Sequence, residues 1–321
     1  MTGSVKRVLA LLVVATMLPL ACSCSVKKQA QPGPQSSVIQ QAKILEYLKE
    51  AETHPTYPDS MSLAYASAYS LTTLKGMSPE TKAKLIAYVK GSQMSDGGFS
   101  DGPQSKSAGT VLSTYFALET LRALGAVDSI DKEKATAFIL SLVQADGGIK
   151  AAANDPFESI VTTYYGIRAL DALGTLDRLD KPKAAAYVLR YKEKGQGFSI
   201  QPGGISVPQA TAMGGGSLAL LGGLSPEVQA DVVSFLKGTR YSGLTDRKYS
   251  TQPTVKEEAF VLEALSDLGS IDVVDKSKIL GFLESLYIAE NGGFGSEPTM
   301  GASPQSTFEA IVALRALGEL N

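Results

Sequence analysis

Leu121-x-x-Leu124-Gly125 is one of six leucine-rich helix ends that close on glycine. The others are Leu71-x-x-Leu74 before Gly76, Leu170-x-x-Leu173-Gly174, Leu218-x-x-Leu221-Gly222, Leu265-x-x-Leu268-Gly269 and Leu314-x-x-Leu317-Gly318. Successive glycines are 49, 49, 48, 47 and 49 residues apart. A period of that size means stacked supersecondary units rather than one irregular core.

Each unit reads as two helices around a glycine turn. The first helix opens on a capping signal: Ser78-Pro79, Asp131, Asp180, Ser225-Pro226 or Asp275. Ser and Asp accept from free N–H groups there, and proline in the first turn loses no bond. The helix then runs into a turn that drops one apolar residue inward: Gln93-Met-Ser-Asp-Gly-Gly-Phe99, Gln144-Ala-Asp-Gly-Gly-Ile149, Lys194-Gly-Gln-Gly-Phe198, Ser242-Gly-Leu244 and Glu290-Asn-Gly-Gly-Phe294. The second helix is apolar or small almost all round, as in Gly109–Leu118, Ser159–Ile167 and Ala210–Leu220. Such helices are buried on most sides, whereas the first helices carry Lys and Glu on one face. Ser37–Glu52 and Ser60–Lys75 supply the first pair, which makes six. An open solenoid needs polar capping repeats at its ends. The last repeat carries no distinct cap, so the pattern predicts an all-α fold closed into an (α/α)6 toroid over residues 37–321, a double-layered ring with buried helices inside.

The chain has 321 residues and a net charge of −2, with no basic run beyond Lys27-Lys28, which argues against a nucleic-acid partner. Residues 1–24 read as an export signal. Lys6-Arg7 precede an apolar run, Val8–Leu20, and small residues follow. That run is short for a membrane-spanning helix. Ala21-Cys22 resembles a lipoprotein signal, with Cys22 the lipidated residue and the protein held on the extracytoplasmic side of the cell membrane. Plain secretion, an uncleaved anchor and modification at Cys24 are the alternatives. Residues 25–36, rich in Gln, Pro and Ser, read as a tether. Both cysteines lie in the signal, so the exported domain has neither disulfide nor thiolate ligand.

The Gln-x-x-x-Gly-Gly-Phe turns and the Thr-Tyr-x-Ala-Leu helices carry a family resemblance. Asp96-Gly-Gly-Phe-Ser-Asp-Gly-Pro103 followed by Thr114-Tyr115-Phe-Ala-Leu118 is the best match. Over about residues 37–320 the chain resembles the α/α toroid of protein prenyltransferase β-subunits and of squalene and oxidosqualene cyclases. The shared residues are turn and packing residues; Phe99, Phe198 and Phe294 read as holding the ring together. The cyclase repeat usually carries Trp in this turn, and this chain has none.

The resemblance implies zinc in a prenyltransferase, on Asp, Cys and His. Those positions fall near Val255, Glu257 and Glu309, without Cys or His. The single histidine, His54, stands before Pro55 in a loop and reads as solvated. No Asp-Asp pair exists anywhere in the chain, so the aspartate-rich motifs of terpene cyclases are absent as well. The expectation is no metal and no cofactor.

The remaining candidates are carboxylates on inner helices: Glu158, Glu257, Glu258 and Glu309. Glu257 and Glu309 lie 12 and 9 residues before their repeat glycines, about one turn apart on neighbouring helices. Such a pair could serve as acid and base in a carbohydrate-active toroid, or each could be a rim residue at a helix end. Tyr65, Tyr69, Tyr115, Tyr164 and Tyr165 could line a pocket for an apolar or isoprenoid-like ligand, or pack between helices. The sequence therefore favours a membrane-anchored binding protein for such a ligand or for a surface partner. A prenyltransferase- or cyclase-type enzyme with a non-standard site is the alternative, and the carbohydrate-active toroid is a second.

Overall fold

The computed structural model describes residues 38–241 and 254–320. The signal segment with Cys22 and Cys24, the tether and the Ser242-Gly-Leu244 turn lie outside the described residues. Among the described residues twelve α-helices alternate between two layers, and the only β-type pairing is a set of isolated bridges at the turns. The outer helices are α1 (Gln41–Glu52), α3 (Pro79–Gly91), α5 (Lys132–Ser141), α7 (Lys181–Leu189), α9 (Pro226–Tyr241) and α11 (Lys276–Leu286). The inner ones are α2 (Met61–Thr73), α4 (Val111–Ala123), α6 (Ile160–Leu173), α8 (Pro208–Leu221), α10 (Val255–Asp267) and α12 (Pro304–Ala316).

Each inner helix packs on the next, and α12 packs on α2, so the ring closes. The seam is a hydrophobic cluster shared by both chain ends, with Ile44 and Leu48 of α1 and Leu71 of α2 against Leu283, Leu286, Ile311 and Leu314. Polar bonds cross it too. The Gln41 side-chain amide donates to the Glu319 carbonyl at 3.1 Å, and Lys43 Nζ donates to the Ala289 carbonyl at 2.8 Å.

The glycine turns repeat one device. The inward residue's backbone N–H donates to a buried threonine hydroxyl on the following inner helix. The pairs are Phe99–Thr114 at 3.1 Å, Ile149–Thr163 at 3.0 Å, Phe198–Thr211 at 2.9 Å and Phe294–Thr307 at 3.0 Å. All four threonines are fully buried, so the turn amide is satisfied where water cannot reach it. A turn glycine then packs on the start of the next outer helix. A Cβ on Gly97 would overlap the Lys134 carbonyl oxygen, and one on Gly292 would overlap that of Lys43. The second contact joins the last repeat to the first in the same way that the first joins its neighbour.

The repeat register differs from the sequence reading at one end. Gly125, Gly174, Gly222, Gly269 and Gly318 take left-handed backbone after their inner helices, with φ of 61–71°. In the first repeat Lys75 does so, at φ 56°, and not Gly76. Gly76 is small for another reason: a Cβ there would meet Leu45. The first unit is thus one residue out of step with the glycine count.

Candidate functional site

Counting back from the left-handed residue gives every inner helix one depth scale. Ten residues before it stand Tyr65, Tyr115, Tyr164, Ala212, Ala259 and Phe308. Six before it stand Tyr69, Glu119, Arg168, Gly216, Glu263 and Val312. At about 1.5 Å per residue the two levels are about 6 Å apart along the axis.

The deeper level is an aromatic belt. Tyr65 meets Tyr115 at 6.1 Å between ring centroids, Phe116 at 5.7 Å and Phe308 at 5.2 Å. Tyr115 meets Tyr165 at 4.9 Å, and Tyr165 meets Tyr164 at 5.3 Å. These edge, tilted and stacked contacts join α2, α4, α6 and α12 into one arc. Burial holds the Tyr65 and Tyr115 hydroxyls well above the usual tyrosine range and pushes Tyr165 up to about 12.

Above the belt, where the inner helices end, lies a cavity of about 790 Å³. All six residues of the upper level line it, together with Arg122, Ser266, Asp267 and Arg315 nearer the rim. Of the tyrosines proposed from sequence, Tyr65 and Tyr69 reach this lining; Tyr115, Tyr164 and Tyr165 are placed in the belt.

The charged groups form a network around Arg168, which is only 13% exposed. Its guanidinium lies 3.9 Å from Glu119, 4.0 Å from Glu263 and 3.6 Å from Asp267, and over the Tyr164 ring at 5.9 Å. Glu119 and Arg168 stand on adjacent helices, but Glu263 and Asp267 belong to α10, across α8. Gly216 is the α8 residue at this level, and a bare backbone there leaves the span open. Its neighbours are glycines for a different reason. A Cβ on Gly214 would strike Phe198 at 2.5 Å, and one on Gly215 would come within 3.0 Å of Val232. A Cβ on Gly216 would meet only Tyr164, at an ordinary 3.7 Å.

Glu119 also pairs with Arg122 at 2.7 Å through its other oxygen, and Arg122 reaches Asp171 at 3.1 Å. Glu119 Oε1 and Arg168 Nε are buried without a hydrogen-bond partner among the described residues. Burial raises the Glu119 carboxyl above its ordinary range, opposed by Arg122 and Arg168. Burial raises Glu263 likewise, opposed by Arg168. Arg315 covers the Tyr69 ring at 5.3 Å, and among the described residues no carboxylate lies within ion-pair distance of it.

The carboxylates singled out from sequence lie elsewhere. Glu257 sits in the first turn of α10, where its backbone N–H donates to Thr254. Glu309 is buried on α12 and accepts from the Gln305 amide at 3.1 Å; burial raises its pKa, while Gln305 and Lys256 oppose the rise. Glu158 precedes α6 in a loop, bridged to Lys150 and against Tyr187 and Gly148. Glu258 is buried in α10. None of the four lines the cavity. His54 is exposed and bonded to Thr56. Among the described residues no three His, Cys, Asp or Glu side chains converge in a metal-binding geometry. Glu119, Arg122, Arg168, Glu263 and Arg315 had not been singled out. Their signal is charge at six and three residues before the left-handed position, on helices otherwise apolar.

The prenyltransferase alpha-alpha toroid domain model matches residues 40–252 and again 247–321, and the chain belongs to that family. Solved structures share the fold. A Candida albicans protein geranylgeranyltransferase-I complexed with GGPP superposes with a TM-score of 0.72 at 16% identity, over 88% of this chain and 92% of that one. A type II terpene cyclase from Scytonema, MstE, carrying geranylgeranyl dihydroxybenzoate as substrate, gives 0.58 at 14%, over 86% and 95%. The ent-copalyl diphosphate synthase of Streptomyces platensis gives 0.51 at 16%, over 80% of this chain and 50% of that one. No curated protein matches the sequence.

Proposed function

We propose that this toroid is a lipid-anchored binding protein that holds an amphiphilic, isoprenoid-like molecule in its axial cavity. The observation that carries the reading is the cavity itself. A chamber of about 790 Å³ falls in the size range of small-molecule sites, ~300–1,000 Å³. It has an aromatic floor and a few convergent charged groups. Two toroids of the same fold hold geranylgeranyl compounds, GGPP in one and geranylgeranyl dihydroxybenzoate in the other. The prenyltransferase zinc set and the cyclase aspartate motifs are missing from this sequence, which favours binding over turnover. The anchor is Cys22.

Two variants test this. Gly216→Leu puts a side chain into the cavity at the one α8 glycine not pressed by its neighbours. It should abolish binding of a geranylgeranyl amphiphile, measured by calorimetry, while the thermal melt stays near that of the wild type. Retained binding would move the site away from the axis. Cys22→Ala should release the protein from the membrane fraction or leave an unprocessed precursor. Fractionation unchanged from the wild type would remove Cys22 as the anchor.

A further inference from the structure

The cavity is charge-balanced: Arg122, Arg168 and Arg315 face Glu119, Glu263 and Asp267. Most of these groups satisfy one another. Arg122 and Glu119 are paired at 2.7 Å, and Arg168 is shared among three carboxylates. Three keep room for a further partner: Arg315, Glu263 and Asp267, the last 53% exposed with Arg168 at 3.6 Å as its one ion-pair partner among the described residues. Arg315 has no carboxylate within ion-pair distance among the described residues and rests on the face of Tyr69. Glu263 has one ion-pair partner among them, Arg168, at 4.0 Å, and keeps about a third of its side chain exposed, at 32%. They stand on adjacent helices, α12 and α10, and both border the same cavity beside Tyr69.

A multiply charged anion fits this poorly. It would gain Arg315 but would bring its charge against Glu263 and Asp267 in a lining with no net positive charge. A molecule that carries both signs uses the open groups of both signs at once. Glu263 lies one level above the aromatic belt, and Arg315 and Asp267 lie three and two residues before the left-handed position, nearer the rim.

We propose that the cavity selects a zwitterionic head group, its acidic end on Arg315 and its ammonium on Glu263 and Asp267. This rests on the cavity reading above and names its ligand chemistry. A phospholipid such as phosphatidylethanolamine, or a soluble amino acid, would present the same pair of charges.

The test uses the purified full chain in maltoside detergent, with binding by calorimetry and folding checked by thermal melts. The probes are lysophosphatidylethanolamine, lysophosphatidylglycerol, geranylgeranyl diphosphate, glycerophosphoethanolamine and leucine. The zwitterionic lipid should bind at least tenfold tighter than the anionic lipid or the diphosphate. Arg315→Gln should lose at least tenfold for the zwitterion without gaining for the anion. Glu263→Gln should lose for the zwitterion and shift the ratio toward the anionic probes by tenfold or more. Glycerophosphoethanolamine or leucine binding as tightly as the lipid would support the same head-group chemistry from a soluble source. Tighter binding of the diphosphate or the anionic lipid by the wild type would overturn the inference while leaving the cavity reading in place. So would a ratio unmoved in Glu263→Gln. Binding of no probe at all, or binding that survives Gly216→Leu, would overturn both.

Discussion

Thr163 accepts the Ile149 N–H in a fully buried turn. Thr163→Val keeps the shape and removes the acceptor. A buried donor left unpaired costs about 1–3 kcal/mol, and urea unfolding should show a loss of that size. Glu309 gives a different kind of test. Burial raises its pKa above the ordinary 4.5, so between that value and the folded one the native state holds the proton more tightly. Its stabilising term is fully present below 4.5 and is lost as pH rises through the folded value. Glu309→Gln has no such term. It should be as stable as the wild type or more so at pH 7, and the difference should shrink or reverse in melts near pH 4.5. A constant offset across that range would contradict the assignment. The sequence flagged Glu309 as a charge on a buried helix; Gln305 is its i−4 neighbour on α12, whereas Lys256 on α10 is brought to it by ring packing, which no local pattern encodes.

At the scale of the element, the turn-to-helix contact decides which glycines matter. Gly292 takes a φ of +82° and presses on the Lys43 backbone, which cannot move aside as a side-chain tip can. Gly292→Ala should cost about 1–3 kcal/mol or more. Gly281 lies inside α11 with nothing within 4 Å of the place a Cβ would take. Gly281→Ala should therefore stabilise by about 0.5–1 kcal/mol. Denaturant midpoints of the two variants, moving in opposite directions, would check the pair. The six helix pairs, the five capping signals and the glycine turns at Gly97, Gly147, Gly195 and Gly292 were legible in sequence because each depends on neighbours a few residues away. The first repeat's register was not. A lysine in left-handed backbone leaves no sequence mark, and the nearby Gly76 is small to admit Leu45. That slip of one residue hid the alignment of Tyr69 with Glu119, Arg168 and Glu263. The charged lining was then legible only as scattered charges on apolar helices.

For the whole molecule the seam is a joint like any other. Both chain ends meet across the cluster of Ile44, Leu48, Leu283 and Leu286, and the Gly292–Lys43 contact repeats the Gly97–Lys134 one. Residues 38 and 320 can then be joined by a short linker and the chain reopened at the exposed Pro202-Gly203 loop. Circular dichroism should show a helical protein that melts cooperatively within a few degrees of the wild type. Deleting residues 1–53 should instead strip α1 from the cluster and give an aggregating or poorly folded chain. A permutant that fails while the deletion folds would mean that the ring is held from one side only.

Lys75 and the five glycines that share its conformation also act as the origin of a map. Distance back along the helix gives height inside the ring, and repeat number gives the compass bearing. With the six origins fixed by the structure, two substitutions can be placed relative to one another as latitude and longitude. On that map Gly216 and Val312 share one latitude with Arg168 and Glu263, as the two uncharged aliphatic points on a circle otherwise occupied by Tyr69, Glu119, Arg168 and Glu263. A new charge written at either point would face the centre of the same chamber, so the ring offers two vacant addresses at which its preference for one ligand over another can be rewritten without disturbing its walls.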